Sequence, residues 1–130
     1  MGKSQQPDGG QTHHKHILIV DDDPLLGDLL LEALQEEEAY RACHVLSGEM
    51  ALTTLQTDVP ALVLLDYHLP GMNGLELADR LKNQEEYDNI PILLMSANVP
   101  QKVSGNKPLR TLQKPFELET LLLIVAELLA

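Results

Sequence analysis

Several side chains able to do phosphate or metal chemistry stand at the ends of apolar runs. Asp21, Asp22 and Asp23 follow "HILIV" (16–20), Asp66 follows "ALVLL" (61–65), Ser96 closes "IPILLMS" (90–96), and Lys114 follows "PLRTLQ" (108–113). In "ALVLLDYHLPGMNG" (61–74), Pro70, Gly71 and Gly74 account for a turn. They do not account for a carboxylate placed where the core stops. Two carboxylates ~5 Å apart near a surface repel by about 3 kcal/mol at an effective dielectric of ~20. If the run ends converge, Asp21, Asp22 and Asp66 therefore call for a cation. An oxygen-only ligand set selects a hard ion. Mg²⁺ fits best, since it takes one or two carboxylates, keeps several waters and completes its octahedron with phosphate oxygens. A carboxylate beside Mg²⁺, an ammonium and a hydroxyl can carry phosphoryl transfer, with the carboxylate as nucleophile and the cations neutralising the transferring oxygens. Asp66 would then become an acyl phosphate. Asp23 reads differently: it precedes Pro24 at the start of a helical pattern and so suits a helix N-cap.

Convergence requires a sheet whose strand ends share one edge. "HILIVD" (16–21) is followed by "PLLGDLLLEALQEEE" (24–38), with Leu25, Leu26, Leu29, Leu30, Ala33 and Leu34 at helical spacing. The alternation repeats as "RACHVL" (41–46) and "SGEMALTTLQ" (47–56), then as "ALVLLD" (61–66) and "NGLELADRLKNQ" (73–84). "IPILLMS" gives a fourth strand, "PLRTLQ" a fifth, and "ELETLLLIVAELLA" (117–130) a closing helix. Continuous apolar strands imply a sheet covered on both faces, hence parallel strands joined by right-handed crossovers. The fold class is a doubly wound α/β sandwich. In such a sheet all carboxyl ends emerge on one edge, where ligands bind.

At 130 residues the chain fits a single domain, long enough to bury roughly two thirds of its unfolded surface. Twenty acidic residues against 9 basic ones give a net charge of −11, which argues against a nucleic acid or an anionic membrane as the direct partner. A single cysteine, Cys43, excludes an internal disulfide framework and suits a reducing, cytoplasmic setting. As a small apolar residue in a strand it reads as core. Residues 1–15 contain almost nothing apolar and read as a disordered tail, in which His13, His14 and, at its border, His16 are solvated rather than metal ligands. "LLLIVA" near the other end is too short to span a bilayer, which takes about 20 residues.

The blocks "ILIVDDDP", "LVLLDYHLPGMNGLEL", "ILLMSA" and "LQKPFELETLL", in this order, resemble the receiver domain of two-component response regulators over residues 16–130. The resemblance implies a flavodoxin-like sheet of order 2-1-3-4-5. It implies that Asp66 is the phosphoacceptor, Asp22 a direct Mg²⁺ ligand, Asp21 its water-linked neighbour and the backbone carbonyl of His68 the third protein ligand. Ser96 would be the hydroxyl that follows the phosphoryl group, and Lys114 its counter-charge, reached through a cis Lys114–Pro115 bond. The donor would be a phosphohistidine on a sensor histidine kinase or phosphotransfer protein. Such a domain is not a turnover enzyme, because it catalyses only its own phosphorylation and dephosphorylation. The His68 side chain is expected to face solvent, where at most it tunes water access to the acyl phosphate, and Tyr67 to pack.

Two departures from the family pattern stand out. Thr111 occupies the place of the usual aromatic switch, three residues before the lysine. The segment 97–108, "ANVPQKVSGNKP", is short and lacks an apolar stripe, so the helix between the fourth and fifth strands is expected to be a single turn or missing. A receiver-like protein-binding module working without phosphorylation is the alternative; it would have lost the acid pair or the lysine, and neither is lost. A phosphatase of the haloacid dehalogenase type would need an acid two positions after Asp66, where His68 stands. On the closing helix, Leu118, Leu121, Leu122, Val125, Leu128 and Leu129 form an inward stripe, leaving Leu123 outward and Ile124 on the flank. A homodimer or partner contact is expected there.

Overall fold

The computed structural model describes residues 14–98 and 109–130. Strands β1 (Lys15–Val20), β2 (Tyr40–Val45), β3 (Leu62–Asp66), β4 (Ile92–Ser96) and β5 (Leu109–Gln113) alternate with helices α1 (Pro24–Gln35), α2 (Gly48–Leu55) and α3 (Gly74–Lys82), and α4 (Leu118–Leu129) closes the chain. All strand pairs are parallel, in the order β2-β1-β3-β4-β5. This is the doubly wound parallel sheet anticipated from the apolar runs, in the flavodoxin-like order that the family resemblance implies. The helix questioned between β4 and β5 falls largely on residues 99–108, outside the described residues. So does the expected tail as far as residue 13; Lys15, assigned to that tail, instead opens β1 and donates to the Ala39 carbonyl at 2.8 Å.

Side chains leave each strand alternately to the two faces. Leu18, Val20, Val63 and Leu65 enter a layer under α2 and α3, where Leu55, Leu77 and Leu81 meet them. Ile17, Ile19, Leu62 and Leu64 enter the opposite layer with Leu30 and Leu34 of α1 and Leu121 and Val125 of α4. Every residue of β3 and β4 is buried, the pattern of central strands covered on both sides.

One expectation about burial is corrected, and the inward faces of two helices are fixed more closely. Cys43 is exposed rather than core, because β2 is an edge strand whose burial alternates. The inward line of α1 is Gly27, Leu30 and Leu34, and Leu25 and Leu29 are 82% and 52% exposed. The glycine lets the helix approach β2 closely there, which turns the face carrying those two leucines outward. Ile124 is half-buried and packs on the core, so Leu123, 72% exposed, is the large apolar side chain of α4 that faces out. His16 lies in β1 and binds Asp58, Nδ1 to Oδ2 at 2.8 Å.

Candidate functional site

The acidic end of β1 is built by capping. Asp23 is the N-cap of α1: its Oδ1 accepts from the Leu25 and Leu26 amides at 3.0 and 3.4 Å, with Pro24 in the first turn. Its own amide donates to Asp21 Oδ1 at 2.9 Å. Asp21 continues the ladder through its N–H to the Val45 carbonyl at 3.1 Å, and its side chain is fully buried. Asp22, between them, is exposed.

Asp66, also buried, closes β3 opposite Met95. The chain turns immediately after it. The Tyr67 amide donates to the Met95 carbonyl at 2.9 Å, and the Gly74 amide returns to the Tyr67 carbonyl at 2.8 Å. Gly71 takes a positive φ of 73°, a conformation that suits glycine. Asn73 and Glu76 form a capping box that starts α3. The His68 amide lies 3.4 Å from Asp66 Oδ1. The His68 side chain is exposed and Tyr67 packs against the core, both as expected.

Ser96, fully buried at the end of β4, accepts from the Asn98 amide at 3.1 Å and donates to the Asn98 carbonyl at 2.9 Å. Its carbonyl accepts from the Lys114 amide at 2.8 Å, and the Lys114–Pro115 bond is cis. Lys114 Nζ reaches Asp66 Oδ1 at 3.2 Å and Asp21 Oδ2 at 3.7 Å. Thr111 sits on β5 opposite Leu94.

The three carboxylates of Asp21, Asp22 and Asp66 each offer an oxygen within 4.8 Å of the others. Burial, reinforced by the charges of Asp66 and Asp22, pushes the Asp21 carboxyl above its ordinary value of 3.8, against the opposing Asp23 N–H and Lys114 ammonium. Asp21 Oδ2 is buried and makes no hydrogen bond. A buried anionic oxygen in that condition is costly, and a hard cation among three carboxylates would satisfy it, so the donor set fits Mg²⁺. The residues singled out in the sequence therefore do come together on one rim. His44, which touches the backbone of this site, was not among them; the one sequence signal for it is Gly27 inside a helical pattern, a position that usually has a packing reason.

Residues 17–126 match the family model of the response regulator receiver domain. A putative two-component response regulator of Arabidopsis thaliana, ARR21, is 38% identical over 85 residues, covering 64% of this chain and 13% of the relative. The hybrid signal transduction histidine kinase D of Dictyostelium discoideum is 31% identical over 122 residues, 90% of this chain and 8% of the kinase. The chain thus spans only a small part of these relatives' length. The receiver domain of the sensor histidine kinase PA1611 from Pseudomonas aeruginosa, solved with a magnesium ion coordinated in its active-site cleft, superposes with a TM-score of 0.73 at 25% identity, covering 89% of this chain and 98% of that one. Strand order, strand-end carboxylates and the family match over most of the chain agree, and this chain belongs to the response regulator receiver domains of two-component signal transduction.

Proposed function

We propose that this chain is a phosphorylatable receiver in which Asp66 takes a phosphoryl group from a phosphohistidine on a sensor histidine kinase or phosphotransfer protein. An Asp66 carboxylate oxygen forms the new O–P bond. The N–P bond of the donor breaks with its electron pair passing to the imidazole nitrogen, which takes up a proton. The observation that carries this reading is the pairing of Asp66 Oδ1 with Lys114 Nζ at 3.2 Å beside the buried Asp21 Oδ2, which accepts no hydrogen bond. Asp22, Asp66, Asp21 and the backbone carbonyl of His68 would hold Mg²⁺, which supplies positive charge against the phosphoryl oxygens. Lys114 is the protein's own counter-charge to the same oxygens. The Ser96 hydroxyl, now turned onto Asn98, exchanges that partner for a phosphoryl oxygen. Such a domain modifies only itself and signals through the proteins it meets. A cytoplasmic setting accords with the lone cysteine, Cys43. Its protein contact is read onto α4 around the exposed Leu123 and its half-buried neighbour Ile124.

The test is intact mass after incubation with acetyl phosphate and Mg²⁺. The wild-type chain gains one phosphoryl mass and Asp66→Asn gains none, because an amide is not a nucleophile. Equal labelling of both would refute Asp66 as the acceptor.

A further inference from the structure

Edge strand β2 carries a side chain that neither the core nor the carboxylate cluster accounts for. The His44 side chain is 8% exposed. Its Nε2 lies 2.8 Å from the backbone carbonyl oxygen of Asp21, and its Nδ1 faces Asp28 Oδ1 of α1 at 3.7 Å. A carbonyl oxygen can only accept, so Nε2 carries the proton and donates it. Helix α1 makes room for the ring through Gly27: a Cβ built there would overlap Cε1, Nε2 and Nδ1 of His44. Glycine is a poor residue for a helix interior, and its presence at this position follows from the imidazole beneath it.

The carbonyl that His44 holds belongs to the peptide joining Asp21 to Asp22. That peptide is planar, so fixing its oxygen fixes the plane from which both acidic side chains depart. The β1–β2 register ends at Val20 and Val45. The Asp21 carbonyl lies past that last pair, where the imidazole takes over from the ladder.

We propose that His44 is a positioning residue for the carboxylate cluster. Through Nε2–H it holds the Asp21–Asp22 peptide so that both carboxylates are preset for a divalent cation, and thereby for phosphoryl transfer to Asp66. The inference rests on the reading of the cluster given under Proposed function. It assigns His44 no contact with phosphate or metal.

The experiment uses the full chain, with Mg²⁺ alone titrated by calorimetry, acetyl phosphate labelling followed by intact mass, and a thermal melt without Mg²⁺. His44→Leu keeps the volume and removes the donor. It should raise the Mg²⁺ dissociation constant and slow labelling, each by about tenfold, the scale of lost outer-sphere partners. His44→Gln, whose amide can donate from nearly the same place, should stay within about twofold of wild type. Where His44→Leu fails to fold, Gly27→Ala gives the reading instead: it displaces the ring from the α1 side while leaving the imidazole in the chain, and it should weaken Mg²⁺ binding comparably. Wild-type affinity and labelling in the folded Leu variant, or in Gly27→Ala where that variant stands in, would overturn the proposal. Equal losses in Leu and Gln would also overturn it, since packing alone would then explain the effect. A wild-type chain that neither binds Mg²⁺ nor takes phosphate would overturn the site reading itself, together with this inference.

Discussion

Asp21 buries a carboxylate with one oxygen unsatisfied, next to two other acids. Its folded-state pKa lies above the ordinary 3.8, chiefly because burial disfavours the charged form. The folded protein therefore holds a proton on Asp21 over a pH window in which the unfolded chain has released it. Stability contributed by this group is full below about pH 3.8 and is lost as pH rises through the folded value. Above that window the buried charge is a standing cost, which a cation bound as proposed would offset. Replacing Asp21 by Asn removes the charge and keeps the shape. In Mg²⁺-free buffer near neutral pH, Asp21→Asn should melt higher than wild type by roughly 2–6 °C, and the gain should disappear below about pH 4. A variant that melts lower than wild type at neutral pH would show that Asp21 is stabilising as a carboxylate.

At the scale of elements, the turn from β3 into α3 brings backbone against backbone. A Cβ on Gly74 would collide with the Asp66 carbonyl oxygen and lie 2.9 Å from Tyr67 Cα. Neither can yield as the end of a flexible side chain can. Gly74→Ala should cost about 1–3 kcal/mol, as overpacking does, and should slow Asp66 labelling by shifting the strand end. Wild-type melting and labelling would show that the turn can relax. The central elements were legible in the sequence because β3 and β4 are buried throughout and read as unbroken apolar runs ending on Asp66 and Ser96. The edges were less so. Position in the sheet, rather than residue type, decides that Cys43 is exposed while Val45 two residues on is core. An apolar stripe fixes a helix but not its rotation, so Leu25 and Leu29 looked as eligible for burial as Leu30 and Leu34. The rotation was settled by Gly27 against His44, a contact between residues seventeen positions apart (44 − 27) that no local pattern encodes. Likewise Asp21 and Asp66 were legible as strand-end acids, whereas the unsatisfied state of Asp21 Oδ2 depends on the packing of three strands.

At the scale of the whole molecule, exposed leucines on two of the described helices compete for the proposed protein contact, while the exposed Leu46 lies in the turn after β2. Leu123 stands outward on α4, 72% exposed. Leu25 and Leu29, one turn apart, stand outward on α1, the other helix on the same face of the sheet. Single exposed apolar residues are common, so exposure alone does not choose between them. One feature favours α4: Ile124 flanks Leu123 with part of its surface still accessible. Burying one leucine at an interface is worth about 1.5–3 kcal/mol, equivalent to roughly tenfold or more in affinity. Leu123→Glu should therefore weaken self-association, or binding to a cognate partner, by about tenfold or more, measured by sedimentation and by titration of the phosphorylated chain. The added negative charge on a chain already at −11 is a confounder, which Leu123→Ser removes; that variant should lose affinity in the same direction. If both variants associate as wild type does while Leu25→Ser weakens binding, the contact lies on α1, and α4 serves the core alone.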